Sequence, residues 1–407
     1  MIEPQYDCIV MGAGPAGSTV AALVAEAGNS TLLIDRETFP RDHIGESLMP
    51  ETYWVFKRLG VLEQMKRSDF VKKVSIQFIS ANGRESQPFF FGQHDPRPCS
   101  QTWQVERARF DQMLFENAAS KGAKCVDGTR VLDVVFQGNR ATGVRLQANG
   151  NVTTIAARVV VDATGQSALL ANKLSIHEPI PELRKSAIST YFTGAQRVDG
   201  PHGGATVILH TESKDAWFWY IPLSQDRTSV GLVGDMVYLL KRGKSVEQTF
   251  ADELASCPAL QRRLGHAQQA DDFIVAKEFS YTTRRHAGDG WVLVGDAFGF
   301  IDPIYSSGVY FALTMGEMAA DAINDALANN RLDEATLGRW TDQFKSGSQW
   351  IRKLVAAYYD RDFSIGRFMK QHPEHVDRLT DVLIGRIFDA DVGKMFDDMP
   401  AHVREVG

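Results

Sequence analysis

The chain has 407 residues and a formal charge of −6, from 44 Lys and Arg against 50 Asp and Glu. At about 150 residues per domain that length implies two to three domains. With 44% apolar and 23% charged residues and a mean hydropathy of −0.21, the composition is that of a globular protein and excludes a disordered or fibrous one. The acidic balance also excludes a generic nucleic-acid or anionic-membrane binder.

Tyr6–Met11 is an apolar run, the mark of a strand buried on both faces. A glycine-rich turn follows, and helical spacing from Ala16 to Ala27 stops at Gly28. Ser30–Asp35 reads as a second strand, so the chain opens with a βαβ unit and a parallel sheet. Helical patterns recur over Glu51–Met65 and Arg107–Gly122. Val131–Leu146 reads as a hairpin about Gly138-Asn139, and Arg158–Ala163 as another buried strand. Residues 184–233 alternate apolar and polar with turn signals, which predicts an antiparallel sheet. A late strand, Trp291–Gly295, leads to a helix from about Gly308 to Ala328. Residues 333–407 are mostly helical and aromatic-rich, and should pack as a cap. Cys8, Cys99, Cys125 and Cys257 lie far apart, without metal-binding or CxxC spacing, and are expected as reduced thiols. Glu3 and Asp7 leave no basic leader, and no apolar stretch reaches membrane length, so a cytoplasmic protein without a membrane span is expected.

Gly12-Ala-Gly14-Pro-Ala-Gly17 sits between the first strand and its helix. Glycines there allow the tight turn, the close approach of a pyrophosphate and close helix packing, and the helix N-terminus offers N–H donors to the phosphates. Asp35, at the end of the second strand, stands where a carboxylate accepts ribose hydroxyls. Gly290-Trp-Val-Leu-Val-Gly295-Asp296-Ala297 is a second motif, a buried strand ending in Gly-Asp. With Gln104-Val-Glu-Arg107 and Val161-Asp-Ala-Thr-Gly165, these segments resemble the p-hydroxybenzoate hydroxylase-like flavoproteins. The resemblance implies a Rossmann-like α/β FAD domain joined to an antiparallel α+β sheet domain and C-terminal helices. It divides the chain into a discontinuous FAD-binding domain over 1–71, 105–170 and 276–330, a substrate domain over 72–104 and 171–275, and a helical cap over 331–407. It assigns FAD contacts to Gly12, Gly14, Ala16, Gly17, Asp35, Arg36, Arg41, Ser47, Arg107, Val131, Gly295, Asp296, Pro303 and Gly308. Asp162-Ala-Thr-Gly165 stands where nicotinamide-using members carry Asp-Gly, and no second GxGxxG occurs. Reduced FAD is therefore expected from a separate flavin reductase.

Trp217-Phe-Trp219-Tyr-Ile221-Pro222 reads WxWxIP, and Phe300 to Gly308 reads FxxPxxSxG. Both resemble flavin-dependent halogenases, as does Phe39-Pro-Arg41-Asp-His43-Ile-Gly45-Glu46-Ser47-Leu48. The resemblance implies that Trp217, Trp219, Ile221 and Pro222 wall off the flavin. It implies that the Ser307 and Gly308 amides bind chloride or bromide, and that hypohalous acid made from reduced FAD, O2 and halide reaches a lysine. Matching Phe70 and Phe78 to FxxKxGxxF places that lysine at Lys73, although Ser75 stands in the glycine position. Strand alternation turns only one of Lys72 and Lys73 inward. Tyr305 occupies the place of a glutamate found in tryptophan halogenases, so an electron-rich phenol or pyrrole, free or on a carrier protein, fits better. Residue by residue there is a plainer reading: core tryptophans, a proline turn capped by Ser306, and a solvated lysine pair. Two alternatives remain: a reductase resembling geranylgeranyl reductase, and a non-catalytic flavin-fold protein such as a prenyl-protein chaperone.

Overall fold

The computed structural model describes residues 2–148, 150–213, 215–224, 226–240, 243–277 and 279–401. The end of the predicted cap, 402–407, lies outside them. Two large sheets organise the chain. The first runs in the order Ala287–Gly288, Trp291–Leu293, Asn151–Asp162, Gln5–Met11, Thr31–Ile34, Lys124–Val126, with the hairpin Arg130–Gln137 and Arg140–Ala148 added at Asn151–Asp162. Its central strands are parallel, Met11 opposite both Asp162 and Ile34. Within Gln5–Met11, Tyr6 and Cys8–Met11 are buried, as a central strand of a parallel sheet requires. It lies between a strand that follows it and one far along the chain, so the strand order reverses beside it. A ligand crevice opens at the carboxyl ends of strands at such a point.

The helix Pro15–Glu26 starts directly after that strand, with Pro15 at its first position and no side chain capping its N-terminus. A Cβ on Gly12 would lie 2.2 Å from the Ala163 carbonyl oxygen, and one on Gly17 would lie 1.9 Å from the Gly12 carbonyl oxygen. Both glycines therefore serve backbone packing.

The second sheet runs Gln268–Gln269, Lys185–Thr193, Arg227–Asp235, Ala216–Pro222, Thr206–His210, Ser75–Ile79, Phe89–Phe90, with Ile274–Lys277 also on Lys185–Thr193. It is antiparallel as expected, except that Thr206–His210 and Ser75–Ile79 run parallel. Ala216–Pro222 is buried on both faces, and its period of two sorts its residues. Trp217, Trp219 and Ile221 join the core continuous with the first sheet. Phe218 and Tyr220 join a separate core with Phe250 and Leu260.

Two local expectations need correction. The pattern over Glu51–Met65 forms two helices, Thr52–Leu59 and Leu62–Arg67, because Gly60 takes the left-handed conformation (φ 78°) that ends a helix. The strand expected to carry Lys72 and Lys73 does not run on to Phe78 but breaks at Val74. Val71–Lys73 pairs with Thr102–Gln104 in a ribbon of its own, and Ser75–Ile79 enters the second sheet. The predicted hairpin is present, and the predicted late helix forms over Ser307–Ala328. Gly308, Val309 and Ala312 of that helix border the crevice.

Candidate active site

A single cavity of about 1070 Å³ runs from the glycine turn, between the two sheets, to the second sheet, the size range of an organic cofactor or larger. Gly12, Gly14, Ala16, Asp35, Arg36, Arg41, Ser47, Arg107, Val131, Gly295, Asp296, Pro303 and Gly308 all line it, and the two glycine motifs meet there: a Cβ on Gly295 would lie 2.9 Å from that of Ala16. Gly17 does not border it; its role is the helix contact already described.

The residues present fit FAD. The uncapped helix start leaves its first N–H groups without intrahelical partners, and Gly14, Pro15 and Ala16 there line the cavity, an arrangement suited to a phosphate. Asp35 accepts the Ala13 N–H at 2.8 Å, which ties the end of the second strand to the glycine turn. Asp111, fully buried, holds two guanidiniums: Arg107 through paired bonds of 2.7 and 2.8 Å, and Arg41 at 2.9 Å. Burial alone would raise the Asp111 carboxyl, yet Arg107 and Arg41 hold it below the usual carboxylate range. Both arginines stay aimed at the cavity, with donors to spare for anionic oxygens. Burial pushes the Asp296 carboxyl up to about 6, against the pull of Arg107. It is suited to exchange hydrogen bonds with a polyol.

Lys73 is 3% exposed, whereas Lys72 is exposed, as strand alternation requires. The Lys73 Nζ donates to Ser47 Oγ at 2.8 Å and to the Leu48 carbonyl at 3.0 Å. Desolvation lowers its pKa to about 7. Lys73 does not itself line the cavity; Ser47 and Thr206 do. Their hydroxyls lie 2.7 Å apart, and Gln104 donates to Thr206 at 2.9 Å. The lysine therefore reaches the cavity wall through one hydroxyl.

Trp219 and Ile221 border the cavity. Trp219 is held by an indole N–H bond to Ser229 Oγ at 3.0 Å and lies across Gly231, its partner on the next strand. A Cβ on Gly231 would come within 2.0 Å of the indole. Trp217 does not border the cavity; it packs against Tyr358 and bonds Tyr359. Pro222 borders a separate small pocket with Tyr220 and His202.

Pro303, Ser306 and Gly308 also border the cavity, while Ser307 is buried and does not. Ser306 closes a turn onto the Pro303 carbonyl at 3.0 Å. It does not cap the helix through its side chain, and it sits in the left-handed region at φ 58°. For a non-glycine residue this stores on the order of 1 kcal/mol or more. Gly308, in the first turn of Ser307–Ala328, lines the cavity, and free N–H groups at a helix start are the kind of donors that bind an anion. Tyr305 is buried with its hydroxyl on the Leu354 carbonyl at 3.3 Å, and burial holds its pKa far above the normal value.

Some lining residues had no motif to reveal them. Thr206, Ile208 and Ile274–Lys277 come from the second sheet. Glu46, within the FPR segment, accepts the Tyr191 hydroxyl at 3.0 Å; only the fold brings those two together.

A dinucleotide crevice opening onto a walled pocket on a second sheet defines an FAD-dependent oxidoreductase, and a model of FAD-dependent oxidoreductases matches residues 7–173. The tryptophan halogenase family model matches residues 93–365. The 1H-pyrrole-2-carbonyl-(peptidyl-carrier protein) chlorinase of Pseudomonas fluorescens is 30% identical over 98% of this chain and 93% of its own length. The corresponding brominase of Pseudoalteromonas luteoviolacea is 31% identical over 95% and 93%. Among solved structures, the flavin-dependent brominase Bmp2 superposes with a TM-score of 0.85 at 30% identity, over 95% of both chains. The myxobacterial chondrochloren halogenase CndH gives 0.82 at 30% identity, over 99% and 96%. The chain belongs to the flavin-dependent halogenase family. It is an FAD-dependent enzyme that halogenates, with halide as a substrate. Among the described residues no helix is long and apolar enough to cross a membrane.

Proposed function

We propose that this enzyme halogenates a pyrrole held on a peptidyl carrier protein, with Lys73 delivering the halogen. The carrier-bound pyrrole is the substrate named for two relatives that align over nearly the whole chain. One observation carries the site reading. A lysine that burial would otherwise disfavour is kept within the halogenase cavity wall, one hydroxyl from its surface. Burying an ammonium without a charge partner costs free energy, which a purely structural core has no need to incur.

FAD, when bound and reduced, supplies with O2 the oxidising equivalents that turn halide into hypohalous acid. The chain does the rest. The first-turn amides of Ser307 and Gly308 hold the halide. Trp219 and Ile221 keep the bulky substrate from the flavin end while leaving passage for a triatomic acid. The Ser47 hydroxyl at the wall, held by Lys73, hydrogen-bonds the hypohalous acid, and through it Lys73 aims the halogen at an electron-rich ring carbon.

The test is to incubate the protein with FAD, a flavin reductase, NADH, O2 and bromide or chloride, offering pyrrolyl-carrier protein alongside free pyrroles and phenols. A mass gain of one halogen on the carrier-bound ring supports the reading. Turnover of free phenols alone would replace the substrate.

A separate flavin reductase and a cytoplasmic setting, where reduced nicotinamide is at hand, belong to the same proposal. Asp162 is committed to its own turn. It accepts from Thr164 N and Oγ1 at 2.9 and 2.6 Å and from Leu170 N at 2.7 Å. It offers little to a nicotinamide. NAD(P)H alone should therefore leave bound FAD oxidised at any useful rate, and rapid bleaching of the flavin band in a stopped-flow cell would refute this.

Lys73 also makes a stability prediction. Its pKa is near 7 in the fold and about 10.4 when unfolded. Between those values the unfolded chain binds the extra proton, so stability rises with pH across the window. The cost of the buried ammonium is fully present below pH 7 and fades toward 10. The Tm of Lys73→Met, relative to wild type, should therefore be most favourable near pH 6 and least so near pH 9. A difference independent of pH would show that Lys73 does not titrate there.

A further inference from the structure

The cap carries no motif, yet one of its side chains joins both signature segments. The helix Thr341–Tyr359 ends in Tyr358-Tyr359. The Trp217 indole N–H donates to the Tyr359 hydroxyl at 3.0 Å, and that hydroxyl donates to Asp302 Oδ2 at 3.0 Å. The other Asp302 oxygen accepts the Ile304 N–H at 2.9 Å. Asp302, 1% exposed, belongs to the Phe300–Gly308 segment that carries the halide turn. An indole N–H can only donate, so the order is fixed: indole, phenol, carboxylate. The remaining contacts hold the phenol in register. The Lys185 ammonium lies over its ring at 4.3 Å. Tyr358 meets Trp217 edge-on, with its hydroxyl 3.2 Å from His210 Nε2. His210 is itself the cross-strand partner of Trp217. Without the Tyr359 hydroxyl, two buried polar groups lose their partner at once.

We propose that Tyr359 is a positioning residue for halogenation: its hydroxyl locks the Trp217 indole to the Asp302 segment, so that the tryptophan wall and the halide turn keep one relative geometry. This role rests on the halogenation reading above and adds the C-terminal cap to it.

The test measures how hypohalous acid divides between a small diffusible trap such as taurine and the carrier-bound substrate, using the full chain with FAD, a flavin reductase and bromide. Tyr359→Phe keeps the ring and the Lys185 contact but removes both hydrogen bonds. It should raise the trap-to-product ratio about fivefold or more and raise the bromide KM, with FAD occupancy unchanged. Trp217→Phe breaks the same chain at its other end and should give a similar ratio, and the double variant should add little to either single one. Asp302→Asn retains an acceptor oxygen and should recover part of what Asp302→Ala loses. A ratio in Tyr359→Phe or Trp217→Phe within about twofold of wild type, with only Tm lowered, would overturn the proposal and leave Tyr359 a packing residue. Should one variant fail to fold, the other decides. If the wild-type protein forms hypohalous acid for the trap but halogenates no substrate, the halogenation reading fails instead.

Discussion

Replacing Lys73 by Ala is expected to abolish substrate halogenation while FAD stays bound and hypohalous acid is still released to a trap. A positioned donor or acceptor contributes roughly a hundredfold to ten-thousandfold to such a step, so the loss should fall in that range. The location makes the separation clean. Lys73 is on the Val71–Lys73 ribbon, bonded to Ser47 and Leu48, apart from the turn Gly12–Gly14 and the start of Pro15–Glu26 expected to hold the pyrophosphate. Lys73→Met keeps length and apolar volume but has no donor and no charge; it should be as inactive as the Ala variant. Lys72, exposed on the other face, should tolerate Ala with a stability change within about 0.5 kcal/mol and unchanged turnover. Two readouts decide, the halogenated product by mass and the trapped hypohalite. If both Lys73 variants still halogenate, lysine delivery fails for this enzyme. If they lose hypohalite as well, Lys73 serves the flavin end.

The second large effect concerns Trp219. Trp219→Ala removes a buried indole and should destabilise by about 3–5 kcal/mol. The surviving folded protein should leak hypohalous acid or peroxide, because the cavity then lacks its wall between the flavin end and the second sheet. Stability loss alone cannot distinguish wall from core, and Gly231 provides the control. A methyl group there would overlap the indole, so Gly231→Ala should swing the ring aside with the tryptophan still present. Overpacking of this kind costs about 1–3 kcal/mol, less than deletion. If both variants raise trapped hypohalite per flavin oxidised, ring position is what matters. If both merely lower Tm, Trp219 is core and nothing more.

Much of the site was legible because its signals are local. The turn Gly12–Gly17 between a buried strand and a helix, Asp35 at the next strand end, and Gly295-Asp296 each depend on neighbours in the chain. The structure sets these three features along one crevice. The inward side of Lys73 and the common face of Trp217, Trp219 and Ile221 followed from a period of two, a property of backbone geometry alone. Other features had no such period. The break at Val74 reflects the competition of two sheets for one extended segment. The seat of Trp219 on Gly231 is a matter of cross-strand register between residues 216–222 and 227–235. Ser47 meets Lys73 only because the FPR segment folds beside the ribbon, and Tyr359 meets Trp217 and Asp302 only because the cap docks there. Register and docking are settled by how much apolar surface and how many buried polar partners the whole molecule can satisfy at once. That long-range balance has no fixed spacing along the chain. The local motifs were enough to identify the chemistry, while the division of labour between the two tryptophans, one at the cavity and one tied to the cap, emerged only from packing.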